Sequence, residues 1–552
     1  MLSDLSPDKT ILGPGYELQL LPSYHGRKIS IPVYPFANIG KWYRDAAHKP
    51  DSNAAAWSYA IWLKPWLGFP TNVSGQLTLP YIFGDNMVLQ RDAPVPIWGT
   101  AHPAANIIVN FFNTAGVQTK RTKADARGQW RVALDPLKAD DRPSFLLITS
   151  GYDTTYDNHP GGVSNAVMLR DVLVGDVWFC SGQSNMEYSM RKNSKFEKAA
   201  HGSGPPDALD SAHNPNIRLF LVRTNYSKPD DTHIRREWDT ATGAALRDFS
   251  AAGYFFAKDV YEKEHVPIGL ISNAVPGSRI EPFLPGNWGG TADTGGTAEH
   301  RGAADTSGAP GKFYETIVKP LAPYALKGFL WYQGESNCFL NDTLHYPAKM
   351  KTLIESWRTL WENVNLPFYY VQIAPFEYSH STGGNQAHSP TSEPAFWEAQ
   401  EKALVLPHTG MVVTTDLVDS IQDLHPAYKW EIGRRLALLA LANDYHEPIV
   451  ASGPVFRSMT VKGKTIVLTF TNTGSGLMSH DGKPLNWFET ADRDGNFVAA
   501  SATIDGSDKI IIKAKSKPVA IRFGWNEAAQ PNLYNTEGLP AMSFRAAVND
   551  SK

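Results

Sequence analysis

The feature that most constrains this chain is an alternation. Between about Asp171 and Ile449, short apolar runs are separated by stretches with helical spacing. The runs are Val174 to Cys180, Ile217 to Val222, Ile268 to Ile271, Gly328 to Tyr332, Phe368 to Ile373 and Gly410 to Thr415. A strand that is apolar along its whole length is covered on both faces, and parallel neighbours need a crossover between them. The pattern therefore predicts an α/β domain, a parallel sheet between helical layers. Ser250 is placed to cap a helix over Ala251 to Glu262, whose Tyr254, Phe255 and Val260 would face the core. A second helix starts near Pro426 and runs through Trp430, Ile432, Leu436 and Leu439. Gly286 to Gly308 and Tyr378 to Glu393 read as long loops, which in compact domains are often functional.

The flanks have a different texture. From Leu77 to Arg170, Ile107 to Phe112 is apolar and β-branched, and Gly128 to Leu134 alternates with period two. A small β-sandwich is expected there. Strand patterns return at Thr465 to Phe470, Ile510 to Ile512 and Val519 to Phe523. Residues 1–76 are rich in Pro, Tyr and Trp and read as strands and loops, including Ile29 to Tyr34 and Trp57 to Leu67. The expected domains are 1–76, 77–170, 171–449 and 450–552, with the independence of the last left open.

The 52 basic and 55 acidic side chains are interspersed, with no charge block, so no nucleic-acid partner is expected. No run of about 18 apolar residues occurs, so no membrane span is expected. The opening MLSDLSPDKT has no basic region followed by an apolar stretch, so no signal peptide is read. Two cysteines, Cys180 and Cys338, are too few for a disulfide scaffold or a thiolate zinc site, and a buried reduced pair is expected. No His-Glu-x-x-His spacing occurs, so no metal is expected. The 16 Trp, 22 Tyr and 25 Phe serve a large core, a sugar-binding cleft, or both. Oligomeric state is not legible.

Three segments at strand ends carry chemistry. Ser181–Gly182–Gln183–Ser184–Asn185 follows the first apolar run, where a nucleophile of an open α/β sheet belongs. Gln333–Gly334–Glu335–Ser336–Asn337 brings amides and carboxylates that can orient an oxyanion. Asp419 to Pro426 holds His425, a general base if a carboxylate fixes its tautomer. Singly, these are an ordinary turn, a capped helix start and a solvated turn. In this order, they form a Ser, oxyanion and Asp/His set.

The chain resembles the sialate O-acetylesterase family of SGNH hydrolases and its relatives acting on acetylated plant polysaccharides. The likeness runs from Leu77 to near Phe544. It rests on Leu79 to Gln90, Cys180 to Met186, Val266 to Ile271, Pro276 to Glu281, Trp331 to Asn337, Phe396 to Gln400, Asp423 to Pro426 and Asn532 to Pro540. The resemblance implies an α/β/α SGNH-hydrolase (flavodoxin-like) sheet with accessory β-sandwich or jelly-roll regions. It implies Ser184 as nucleophile, His425 as base and Asp423 as its carboxylate, with Asp419 the alternative. It implies oxyanion donors at the Ser184 and Gly277 backbone N–H groups and the Gln333 amide, and deacetylation of a carbohydrate with no cofactor. Arg279, Trp331, Glu335 and Asn337 are the expected substrate contacts. Bacterial relatives are often exported, so a periplasmic or secreted location is expected, with the cytoplasm left open.

Departures from the family bear on substrate. Residues 1–76 precede its usual start, Arg279 stands where many relatives have Pro, and Gly286 to Gly308 is an insertion. With Phe283, Trp288, Trp331 and Tyr378 as stacking candidates, the expected substrate is a neutral plant polysaccharide, acetylated xyloglucan first. The alternatives are a sialate 9-O-acetylesterase and a catalytically silent carbohydrate-binding protein.

Overall fold

In the computed structural model, residues 16–21, 60–65, 77–151, 163–191, 212–222, 237–288, 309–380 and 387–548 are described. Ile29 to Tyr34 and most of the Gly286 to Gly308 loop lie outside them. The chain divides into two compact units, Met1–Asp176 and Val177–Lys552.

The first unit is all β among its described residues. Strands β1 (Tyr16–Leu21) and β2 (Ala60–Pro65) pair antiparallel. The others are β3 (Val88–Gln90), β4 (Val95–Thr100), β5 (Asn106–Asn113), β6 (Gly116–Lys123), β7 (Gln129–Leu134), β8 (Asp140–Gly151) and β9 (Val163–Gly182), whose last residues belong to the second unit. One sheet has the order β6-β5-β8-β9-β3, and β4 pairs with β7. Strand β6 alternates buried and exposed residues, as expected for a sheet with one wet face.

The second unit contains α1 (Ser184–Glu187), β10 (Asn214–Leu221), β11 (Trp238–Ala241), α2 (Gly243–Asp248), α3 (Ala251–Glu264), β12 (Ile268–Ala274), β13 (Gly328–Tyr332), α4 (Glu335–Cys338), α5 (Tyr346–Leu360), β14 (Phe368–Val371), α6 (Ser392–Glu401), β15 (Thr409–Val412) and α7 (Lys429–Asn443). Its sheet has the order β11-β10-β12-β9-β13-β14-β15, and only the edge strand β11 is antiparallel to its neighbour. Successive residues of β9 face opposite layers. Trp178 meets Phe256 of α3 edge-on at 4.9 Å, and Phe179 stacks on Trp357 of α5 at 5.3 Å. Burying each such ring contributes about 1.5–3 kcal/mol. The expected cap is present, with Ser250 Oγ accepting from Gly253 N at 3.2 Å. Helices α3 and α7 touch backbone to side chain: a Cβ on Gly433 would lie 2.6 Å from Phe255 Cβ.

After Asn443 come β16 (Val455–Lys462), β17 (Thr465–Thr471), β18 (Leu477–Ser479), β19 (Phe488–Ala491), β20 (Phe497–Ala499), β21 (Ser501–Asp505), β22 (Lys509–Lys513), β23 (Ala520–Phe523), β24 (Leu533–Asn535) and β25 (Phe544–Ala547). They form antiparallel sheets β16-β17-β22-β21, β20-β19-β23-β25 and β18-β24 around a separate apolar core. This region belongs to the same compact unit as the α/β sheet. Arg545 pairs with Glu398 of α6 at 2.9 Å, and the Glu527 carboxylate accepts from Ser379 N at 2.9 Å. The first compact unit ends at Asp176, inside the continuous strand β9, which carries the change of texture seen in the sequence.

The topology also explains the site. The chain starts at the central strand β9, builds outward through β10 and back to β12, then crosses to β13, β14 and β15. In such sheets the crevice opens at the carboxyl ends where the order reverses. The loops after β12, β9 and β13 lie there.

Candidate active site

Strand β9 ends at Gly182, with φ +139°. A Cβ there would sit 2.1 Å from the Tyr332 carbonyl oxygen, so only glycine lets β9 and β13 finish side by side. Tyr332 O accepts from Gln183 N at 2.9 Å, and Gly182 O accepts from Val275 N at 2.9 Å. Ser184 follows as the first residue of α1 and is partly exposed.

His425 lies on the loop between β15 and α7, and its Nε2 is 2.8 Å from Ser184 Oγ. The two candidate carboxylates have different attachments. Asp423 Oδ1 accepts the backbone N–H of His425 at 2.8 Å. Asp419 Oδ1 accepts the Tyr428 hydroxyl. Gly277, with φ +70°, sits exposed in the turn that follows β12.

Four of the expected site residues lie in the interior. Gln333 is fully buried, and its Nε2 donates to Asn337 Oδ1 at 2.8 Å and Ser278 O at 3.3 Å. Its N–H groups are thus engaged internally, and the side chain holds the turn that carries Gly277. Asn337 is also fully buried: Oδ1 accepts from Ile280 N at 3.0 Å, and Nδ2 donates to Asp342 at 2.9 Å and Glu281 at 3.2 Å. Trp331, 1% exposed, packs edge-on against Phe283 at 5.2 Å. Glu335, 1% exposed, accepts from Asn185 Nδ2, and burial raises its carboxyl above the ordinary range. Trp331, Glu335 and Asn337 are therefore interior residues: Asn337 is bonded to neighbouring loops, Glu335 to Asn185, and Trp331 packs among rings.

Phe283 and Tyr378 are buried as well, which leaves Trp288 as the partly exposed member of the stacking set. Arg279 is partly exposed, and its charge reaches Glu281. Burial pushes the Glu281 carboxyl up, but Lys349, at 2.8 Å, and Arg279 together hold it below its ordinary value. Both cysteines are buried free thiols, and burial raises both. Among the described residues, no group of three or more His, Cys, Asp and Glu side chains could hold a metal.

Two residues of this site went unrecognised in the sequence. Asn185 and Lys429 are fully buried, and Lys429 Nζ donates to Asn185 Oδ1 at 2.8 Å and Pro426 O at 2.7 Å. A signal existed: a lysine in the first turn of a helix opposes the helix dipole and needs a local reason.

A serine hydroxyl on an imidazole, beside a turn with outward backbone, can carry out acyl transfer. A family model described as carbohydrate esterase, sialic acid-specific acetylesterase, matches residues 174–442. The solved structure of a carbohydrate acetylesterase from Xanthomonas citri is similar with a TM-score of 0.71 and 34% identity, covering 86% of this chain and 100% of that one. Sialate O-acetylesterase of Homo sapiens is 26% identical over 506 residues, covering 85% of this chain and 92% of its own. That of Mus musculus is 24% identical over 522 residues, covering 84% and 93%. The chain belongs to the sialate O-acetylesterase-like family of SGNH hydrolases, and with it to the serine-type carbohydrate esterases.

Proposed function

We propose that this carbohydrate O-acetylesterase uses Ser184 and His425 to release acetate from an O-acetylated sialic acid. The 2.8 Å contact between Ser184 Oγ and His425 Nε2 carries the reading of the chemistry. His425 Nε2 takes the hydroxyl proton as Ser184 Oγ bonds to the acetyl carbonyl carbon. The Ser184 and Gly277 N–H groups face the oxyanion, and Gln333 keeps the Gly277 turn in place through Ser278 O. The C–O bond to the sugar breaks, and the sugar oxygen takes the proton from His425. Water then gives a proton to His425 as its oxygen bonds to the acyl carbon, and the bond to Ser184 Oγ breaks as His425 returns that proton to it, releasing acetic acid, which ionises to acetate. Asp423, on the same loop, supplies the negative charge that favours the imidazolium.

The sialic-acid substrate draws its support from the curated relatives, all named sialate O-acetylesterases, and from Arg279, a partly exposed cation two residues beyond Gly277. A guanidinium pairs with a carboxylate in a two-point fork. The neutral-polymer expectation loses most of its aromatic basis, since Phe283, Trp331 and Tyr378 are core residues.

The test compares kcat/KM on 9-O-acetyl sialic acid, acetylated xyloglucan oligosaccharides and 4-nitrophenyl acetate. The sialate ester should lead, and Arg279→Ala should lower that lead while sparing 4-nitrophenyl acetate. A preference for xyloglucan, unchanged in Arg279→Ala, returns the substrate to the neutral polymer. Ser184→Ala should lower turnover of every ester by about 10⁴-fold or more with the fold intact. Sugar binding with no turnover in the wild-type protein would indicate a silent site.

A further inference from the structure

We infer that Asn185 and Lys429 form a positioning device that sets the distance between Ser184 and His425, a role resting on the assignment of those two residues as nucleophile and base. The argument is one of attachment points. Asn185 directly follows Ser184. Its Nδ2 donates to Leu424 O at 3.0 Å, and Leu424 directly precedes His425. The Asn185 Oδ1 accepts from Lys429 Nζ at 2.8 Å, and the same Nζ donates to Pro426 O at 2.7 Å, directly after His425. Both residues flanking the histidine are thus tied, through one amide and one ammonium, to the residue beside the serine.

These bonds join segments more than 200 positions apart, with sequence separations of 239 and 244. The three side chains of the joint are shielded from water: Asn185 and Lys429 are 0% exposed and Glu335 is 1% exposed. Glu335 accepts from Asn185 Nδ2, and its charge and that of Lys429 act on each other. The rings of Tyr188 and Tyr332 lie 4.9 and 5.3 Å from Nζ, covering the ammonium with π faces. A buried ion with this many fixed partners is a rigid joint, since moving any one of them leaves a charge or carbonyl unmatched. Proton transfer needs the reacting pair held to within about 0.5 Å of its productive geometry. The structure places the joint one residue from each member of that pair.

Three enzymes test this: Lys429→Met, Asn185→Leu and the double variant, each checked by circular dichroism. Each single change should lower kcat roughly 10- to 100-fold while KM moves less than about twofold. The rate of inactivation by diisopropyl fluorophosphate, which reports serine activation without sugar binding, should fall in the same proportion. In the double variant the loss should match the worse single loss, because both changes open one joint. Wild-type kcat in a folded single variant, or losses that multiply in the double, would overturn the inference. If Lys429→Met does not fold, Asn185→Leu and Asn185→Ser, which retain the cation, decide by the same readouts. Ser184→Ala run alongside separates the cases: full turnover there removes the underlying assignment, not the joint alone.

Discussion

Asp423 and Asp419 both lie within reach of the His425 loop, and their bonds give each a distinct test. Asp423 accepts the backbone N–H of His425, while Asp419 accepts the Tyr428 hydroxyl. Asparagine can still accept through Oδ1 at either place, so Asp→Asn removes charge and keeps the loop bond. Asp423→Asn should lower kcat by about 10²-fold or more, and Asp419→Asn by less than about threefold. Asp423→Ala, which also frees the backbone N–H, should be the worst of the three. Steady-state kinetics on 4-nitrophenyl acetate decides, and a larger loss in Asp419→Asn exchanges the two roles. At this scale the sequence singled out two distant segments, those of Ser184 and His425, and the structure brings these side chains to 2.8 Å. The sequence was not legible at Trp331, Glu335 and Asn337. Side chains that follow a strand end look like substrate contacts in sequence, whereas here all three are buried inside the protein.

At the scale of elements, the loop that carries His425 is pinned at its start. Arg435 of α7 donates to Val413 O at 2.7 Å, to both Asp416 oxygens at 2.8 and 2.6 Å, and to Glu431 at 2.8 Å. Burial alone would lower the guanidinium, yet Asp416 and Glu431 outweigh it and raise its pKa. Arg435→Ala should destabilise the fold by about 3–5 kcal/mol in urea unfolding, since it removes the buried cation that pairs with Asp416 and Glu431. Arg435→Lys should recover only part, because one ammonium cannot reproduce the fork. The six parallel strands were readable as apolar runs because both sheet faces are covered. Strand β11, four residues with half its positions partly exposed, carries no such run. The one-turn helices α1 and α4 are too short for a 3.6-residue period to appear. The reach of β9 was hidden for another reason: its 20 residues change neighbours midway, so its pattern changes while the strand continues.

Across the α/β sheet and the C-terminal sheets, pH acts on stability through buried acids. Glu393, in the first turn of α6, is fully buried, and its Oε1 has no hydrogen-bond partner among the described residues. Burial first, then Glu527 and Glu335, push its carboxyl well above 4.5, against the Phe376 N–H. The folded protein therefore holds a proton that the unfolded chain releases above about 4.5. Unfolding is favoured progressively as pH rises from there through the raised folded value. Glu393→Gln keeps an acceptor for Phe376 N and removes the titration, so its Tm should gain on the wild type as pH increases. Thermal melts from pH 4 to 8 check this, and parallel Tm curves would place the pH sensitivity elsewhere. The central position of β9 has a last consequence, for synthesis. Ser184 and His425, the proposed nucleophile and base, are 241 positions apart in the chain. On the ribosome, Ser184 emerges long before Tyr332 can seat its turn or His425 can take its proton. On the proposed roles, catalytic competence is among the last properties a growing polypeptide acquires, and a product ended before His425 should be released without esterase activity.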